Sequence, residues 1–129
     1  MTPEQLVRII VTAYQERDLD TVLELTSEDI VFENNAKPDI GPHCANVSNK
    51  TEFLAYLKEI DDCWEINKFT LDQLVANGGE VATRSQMDYV SKATSKRVIT
   101  QAAHFWTIAD GKVSRLYEFY DTAAIGACK

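Results

Sequence analysis

Few side chains in this sequence could do chemistry on a bound molecule, and most of them fall in its second half. Arg84, Gln86 and Asp88 alternate along one segment, His104 sits on the next, and Glu118 on the one after that. A histidine and a carboxylate brought together can give and take a proton, which is general acid–base work. Other chemistries have little support. Cys44 and Cys63 have no identifiable base, and His43 stands alone in the Gly41-Pro42-His43-Cys44 stretch. The three cysteines Cys44, Cys63 and Cys128 are an odd count with no metal-ligand spacing, so neither a disulfide framework nor a zinc site is expected. There is no phosphate loop, dinucleotide fingerprint or metal-ligand cluster. The expectation is a site without metal or cofactor.

The totals set the frame for these residues. A chain of 129 residues suits one domain, taken as 1–129, and 45% hydrophobic residues supply a core. The net charge of −7 argues against nucleic acid, which needs a basic face, and fits a small apolar or weakly polar ligand. The opening MTPEQLVR lacks an apolar signal core and no run reaches membrane-spanning length, so no membrane partner and a cytoplasmic location are expected.

The elements that must position the site follow from periodicity and punctuation. Leu6, Ile9, Ile10, Ala13 and Tyr14 form one apolar stripe, predicting a helix over about 3–16 with Thr2 as its cap. Asp18 looks like the cap of a short second helix carrying Leu19, Val22 and Leu23. Ile30, Val31 and Phe32 read as a strand, and 34–47, with Pro38, Gly41 and Pro42, as a loop. Asn49 with Glu52 starts a third helix through Phe53, Leu57 and Ile60. From Trp64 onward the pattern is strands: 64–76, 81–90, 97–108 and 113–120. Asn77-Gly78-Gly79, a polar loop at 91–96 and Asp110-Gly111 separate them, and a short helical turn is expected after Asp121. Helices around one early strand, then a meander, read as an α+β fold.

Two stretches carry a family resemblance. AYQERDLDTVLELTSEDIVFEN resembles the helix–turn–helix–strand opening of the nuclear transport factor 2-like superfamily, and WTIADGKVSRLYEFYD resembles its closing hairpin. The resemblance implies a cone-shaped α+β barrel: N-terminal helices packed on a curved, mainly antiparallel sheet that encloses a pocket. Within the superfamily, Asn34 stands where ketosteroid isomerases carry a catalytic aspartate, and Ile10 where they carry an oxyanion tyrosine. Arg84-Ser85-Gln86 departs from the Arg-x-Asp pair of the epoxide-hydrolase-like enzymes. The SnoaL-like polyketide cyclases fit better, with His104 and Glu118 at their histidine and acid/base carboxylate, although that carboxylate is usually aspartate.

Strand alternation puts Arg84, Gln86 and Asp88 on one face and Thr83, Ser85, Met87 and Tyr89 on the other. Ala102, His104 and Trp106 share a face of the next strand, and Leu116 and Glu118 a face of the last. Composition alone sends the polar set to solvent; the resemblance sends it into the cone. It then implies Glu118 as proton shuttle, His104 as its partner, and Asn34, Arg84 and Gln86 as substrate anchors. Asp88 stands at the rim, and Phe32, Ala102, Trp106 and Leu116 supply apolar walls. Ser85 falls on the face opposite His104, which disfavours a nucleophilic role.

The hairpin register decides whether His104 and Glu118 meet. A two-residue turn pairs Ala109 with Lys112 and separates them; a three-residue turn pairs Ile108 with Lys112 and leaves them diagonal. The resemblance selects the second. The function implied is a cofactor-free acid/base enzyme, a cyclase, isomerase or dehydratase, acting on a mostly apolar carbonyl compound. The other reading is a non-catalytic binding or assembly domain. With the polar set inside the cone, Met87, Tyr89, Ile99, Phe105, Tyr117 and Phe119 are expected on the convex face, where they would form a homodimer.

Overall fold

The computed structural model describes residues 1–37 and 45–128. Pro38, Gly41, Pro42, His43 and Cys44 lie outside the described residues. Helix α1 spans Pro3–Gln15; its cap Thr2 accepts from the Gln5 amide while the Gln5 side chain answers the Thr2 amide. Leu6, Val7, Ile10, Val11 and Ala13 are buried, whereas Ile9 is 41% exposed, so the buried stripe is rotated toward Val7 and Val11. Helix α2 is Leu19–Glu24, capped by Asp18. Helix α3 is Lys50–Cys63, where the Asn49 side chain accepts from the Glu52 amide and Glu52 reaches back to the Ser48 amide. Helix α4 is Thr122–Gly126, capped by Asp121.

The strands are β1 Thr26–Asn34, β2 Asn46–Val47, β3 Trp64–Asn77, β4 Glu80–Ser91, β5 Arg97–Ala109 and β6 Lys112–Tyr120. They form one curved, unclosed sheet in the order β2-β1-β6-β5-β4-β3. Only β1 and β6 pair in parallel; every other neighbour is antiparallel. The two-residue β2, paired to β1, lies within a segment that the sequence presents as loop. The helices cover the concave face. Their apolar sides meet Phe32, Val81, Trp106, Val113 and Leu116 from the sheet in one part of the interior, and Met87, Tyr89, Ala102 and Tyr120 lie in the other.

The β5–β6 hairpin differs from the expected register. Asp110 and Gly111 both have positive φ, 54° and 72°, and Ala109 pairs with Lys112. This is a two-residue turn whose twist matches that of the strands. The irregularity comes after it. Ile108 pairs with Val113 but Thr107 with Arg115, so Ser114 is an extra residue, its hydroxyl bonded to the Thr107 carbonyl at 3.2 Å. A bulge of one residue changes the parity of the rest of the strand. His104 therefore stands directly opposite Glu118, neither diagonal to it nor on the other face.

The face of β4 is also corrected. Thr83 pairs with His104 and Ser85 with Ala102, so Thr83, Ser85, Met87 and Tyr89 point into the interior. Arg84, Gln86 and Asp88 point outward. There Arg84 bonds Gln73 and Gln101, Gln86 bonds Asp72, and Asp88 bonds Arg97. Partners directly opposite in a ladder share a face, so His104 cannot be inside together with Arg84. Water and neighbouring side chains satisfy these polar groups outside, where burial would have cost their solvation.

Candidate functional site

One row across the sheet builds the polar part of the site. Asn34 on β1 pairs with Glu118 on β6, Glu118 with His104 on β5, and His104 with Thr83 on β4. The neighbouring row, Phe32, Leu116, Trp106 and Val81, is apolar. Four side chains of different chemistry thus stand side by side because four strands are in register.

Within the row the hydrogen bonds fix orientation. His104 Nε2 lies 2.8 Å from Glu118 Oε2. Asn34 Oδ1 accepts from the amides of Ala36 and Ala45 at 3.2 and 3.0 Å, which turns Nδ2 toward Glu118 Oε1 and the Tyr56 hydroxyl, each at 3.4 Å. Both oxygens of Glu118 therefore face donors, an arrangement that suits a carboxylate. His104 Nδ1 is buried with no hydrogen-bond partner. A proton placed there would be an unmet buried donor, so hydrogen-bond accounting puts the imidazole proton on Nε2, donated to Glu118. On the other side of His104, the Trp106 indole donates to Thr83 Oγ1 at 2.9 Å. Ser85 lies on the same face as His104, contrary to expectation, but its buried hydroxyl is likewise unpartnered and makes no bond to the imidazole.

The row borders a cavity of about 100 Å³. His104, Glu118, Phe32, Trp106 and Leu116 line it, together with Met87 and aromatic rings from α1, α3 and β3. Ala102 is buried on the same face, packed with Met87 and Tyr89. Asn34 stands behind Glu118, holding it in place. Arg84, Gln86 and Asp88 belong to the outer face and do not line the cavity.

Among the wall residues not recognised from the sequence are Tyr14, Tyr56 and Tyr89. Tyr14 was legible only as part of an apolar stripe, and Tyr89 was assigned to the convex face. The available signal was a tyrosine at an interior position, where the ring packs and the hydroxyl needs a partner. The Tyr14 and Tyr89 hydroxyls are 3.5 Å apart. The Arg17 guanidinium lies 4.4 Å from the centre of the Tyr14 ring and also pairs with Asp61 of α3. Burial pushes the hydroxyls of Tyr56 and Tyr89 well above the ordinary tyrosine range and that of Tyr14 above it, and the charge of Glu118 acts in the same direction on all three. These groups stay protonated and act as hydrogen-bond donors at neutral pH.

Among the described residues no group of three or more His, Cys, Asp or Glu side chains is placed to hold a metal ion. No helix among them is long and apolar enough to cross a membrane.

Comparison with known proteins agrees with this architecture. The profile of the SnoaL-like domain matches residues 7–116. No curated protein matches the sequence. An NTF2-like protein of unknown function from Burkholderia pseudomallei superposes with a TM-score of 0.90 at 16% identity, covering 99% of this chain and 97% of that one. A Pseudomonas putida protein provisionally described as a polyketide cyclase gives 0.81 at 20% identity, over 99% and 98% of the two chains. An LEH-like epoxide hydrolase from M. tuberculosis gives 0.74 at 17%, over 94% and 84%. At such identities the likeness is one of fold, and the chemistry has to be argued from the site.

Proposed function

We propose, for a chain that belongs to the SnoaL-like domain family, a cofactor-free acid/base enzyme acting on a small, mostly apolar carbonyl compound, in a cyclase, isomerase or dehydratase reaction. The observation that carries this reading is the His104–Glu118 pair, 2.8 Å apart on the wall of a mostly apolar cavity. Glu118 takes a proton from the carbon next to the carbonyl: the C–H bond breaks and its electron pair moves toward the carbonyl oxygen. The protonated Glu118 then returns the proton to the same or another atom. His104 and Asn34 act on Glu118 through hydrogen bonds and are positioning residues.

The test is hydrogen–deuterium exchange at the α-carbon of cyclohexanone in D2O, followed by NMR. Protein-catalysed exchange is expected, and Glu118→Gln should lower it by about 10²–10⁴-fold while retaining binding. An exchange rate unchanged in that variant would end the role of Glu118 as base.

One observation favours the second reading, a binding domain without turnover. Glu118 has a donor on each oxygen and so is already a satisfied hydrogen-bond acceptor. An unchanged small molecule recovered from the purified protein, with no exchange activity, would establish that reading. In either case we propose that the chain pairs with a second copy through the outer face of β5 and β6.

A further inference from the structure

Two polar atoms of the interior stand apart from the rest. Among the described residues, Ser85 Oγ and His104 Nδ1 are the only buried side-chain nitrogen or oxygen atoms without a hydrogen-bond partner. The two residues are 1% and 6% exposed. Burial strips such atoms of water, and a native interior rarely leaves them unanswered.

The two atoms belong to neighbours. Thr83 pairs with His104 and Ser85 with Ala102, so Ser85 and His104 are diagonal to each other on the inner face of β4 and β5. Diagonal residues have backbones roughly 7–8 Å apart and side chains closer. Polar groups that face each other beyond hydrogen-bond distance are where one water makes the link. Ser85 opposite Ala102 is also the smallest of the inward pairs of this ladder. A third polar group stands at the same corner. Thr83, directly opposite His104, accepts from the Trp106 indole at 2.9 Å and keeps its own hydroxyl proton to give. A buried water makes about three hydrogen bonds, and Ser85, Thr83 and His104 Nδ1 supply that number.

We propose that Ser85 is a positioning residue for the His104–Glu118 pair, acting through one buried water that it holds against His104 Nδ1. This rests on the reading of that pair as the acid/base group and adds the device that orients it. Ser85 does not line the cavity, so it acts from behind the imidazole and not on a bound molecule. The water accepts from the Ser85 hydroxyl and donates to Nδ1. With Nδ1 engaged as an acceptor, the ring proton stays on Nε2, where Glu118 Oε2 lies 2.8 Å away. The hydrogen bonds then run in one direction, from serine to water to imidazole to carboxylate, and each strengthens the next. Asn34 engages the other oxygen, Oε1, so Glu118 is held from two sides.

The test is Ser85→Ala in the whole protein, read by three measurements at neutral pH. Nitrogen NMR of the His104 ring reads the tie without turnover. In the unaltered protein Nε2 should give a protonated-type signal, and Nδ1 an imine-type signal displaced by an accepted hydrogen bond. In Ser85→Ala the Nδ1 signal should move toward that of a free imine. The urea midpoint should fall, whereas deleting a hydroxyl that has no partner would leave it unchanged or raise it. The α-deuterium exchange of cyclohexanone should slow about tenfold, the scale of one buried hydrogen bond. Unmoved ring signals would overturn the tie, and so would an unchanged or raised midpoint. Ring signals that move while exchange keeps its rate would overturn the positioning role. An unaltered protein that exchanges no deuterium removes the acid/base reading, and the ring signals and the midpoint still decide whether Ser85 holds His104.

Discussion

At the scale of single residues, Asn34 shows how one side chain can hold a site together. Its oxygen is engaged by two backbone amides, so its nitrogen is left for Glu118 and Tyr56. Asn34→Ala leaves those amides unmet and frees the carboxylate. It should destabilise the protein by about 1–3 kcal/mol and slow α-deuterium exchange by roughly tenfold. Denaturant unfolding and the exchange assay read the two effects separately. The buried tyrosines give a prediction about pH. Tyr14, Tyr56 and Tyr89 keep their protons in the folded state to higher pH than in the unfolded chain, where a tyrosine titrates near 10. Below that value the folded and unfolded chains bind the same tyrosine protons. Above it the unfolded chain releases them first, so stability falls as pH rises from about 10 toward the folded values. In an alkaline titration, the phenolate absorbance of these three should appear together with loss of far-ultraviolet circular dichroism. Their ionisation in a protein that is still folded would contradict their burial.

At the scale of elements, the closing hairpin carries most of the site's geometry. The Asp110–Gly111 turn alone would put His104 opposite Tyr117; the extra residue Ser114 restores Glu118 to that place. The sequence signals the turn through Asp-Gly, but a bulge three residues further on has no comparable signature, and so the pairing expected from the sequence was off. The correct face was anticipated because the two errors share a parity. The neighbouring hairpin is held from outside. A Cβ on Gly79 would come within 2.7 Å of the Ile108 carbonyl oxygen, a backbone atom that also belongs to β5. Gly78, at φ +58°, has open space around it. Gly79→Ala should therefore cost about 1–3 kcal/mol through overpacking, and Gly78→Ala about 1–2 kcal/mol through its left-handed backbone. Urea midpoints should fall for both variants, further for Gly79→Ala.

At the scale of the whole molecule, the corrected faces alter the basis for a dimer. Met87 and Tyr89 are interior residues, so they leave the convex patch. Ile99, Phe105 and Phe119 remain, 65%, 49% and 50% exposed, with the two phenylalanine rings in edge-to-face contact at 5.9 Å. Tyr117 on the same face is partly covered, with the Arg115 guanidinium 5.8 Å from its ring centre. Aromatic rings grouped on an open sheet face are of the type enriched in interfaces, and a two-fold pair uses the same patch twice. Light scattering should give about twice the 14.5 kDa of one chain. Phe105→Glu combined with Phe119→Glu should return the mass to that of a monomer with the cavity unchanged. A monomer mass for the unaltered protein at micromolar concentration would refute the pairing.

The sequence by itself determined the elements and their order, apart from the two-residue β2. Thr2, Asp18 and Asn49 marked where helices begin, the Gly-containing pairs marked where strands turn back, and two long stretches carried the likeness to the superfamily. These are local signals: each depends on hydrogen bonds or backbone angles within a few residues. It also singled out His104 and Glu118, whose types suit proton transfer. Only the tertiary structure decided which side chains join them. Alternation divides a strand into two faces but does not say which face is inside, and the answer passes from strand to strand through pairing registers. Composition alone had Arg84, Gln86 and Asp88 rightly outside, and the resemblance drew them inward by treating all polar residues as one set. The 83–104 pairing separates them. The tyrosine hydroxyls were hidden for a related reason. Tyr14, Tyr56 and Tyr89 come from two helices and a strand, and their meeting around one carboxylate depends on helices packing across a curved sheet, which no local pattern records.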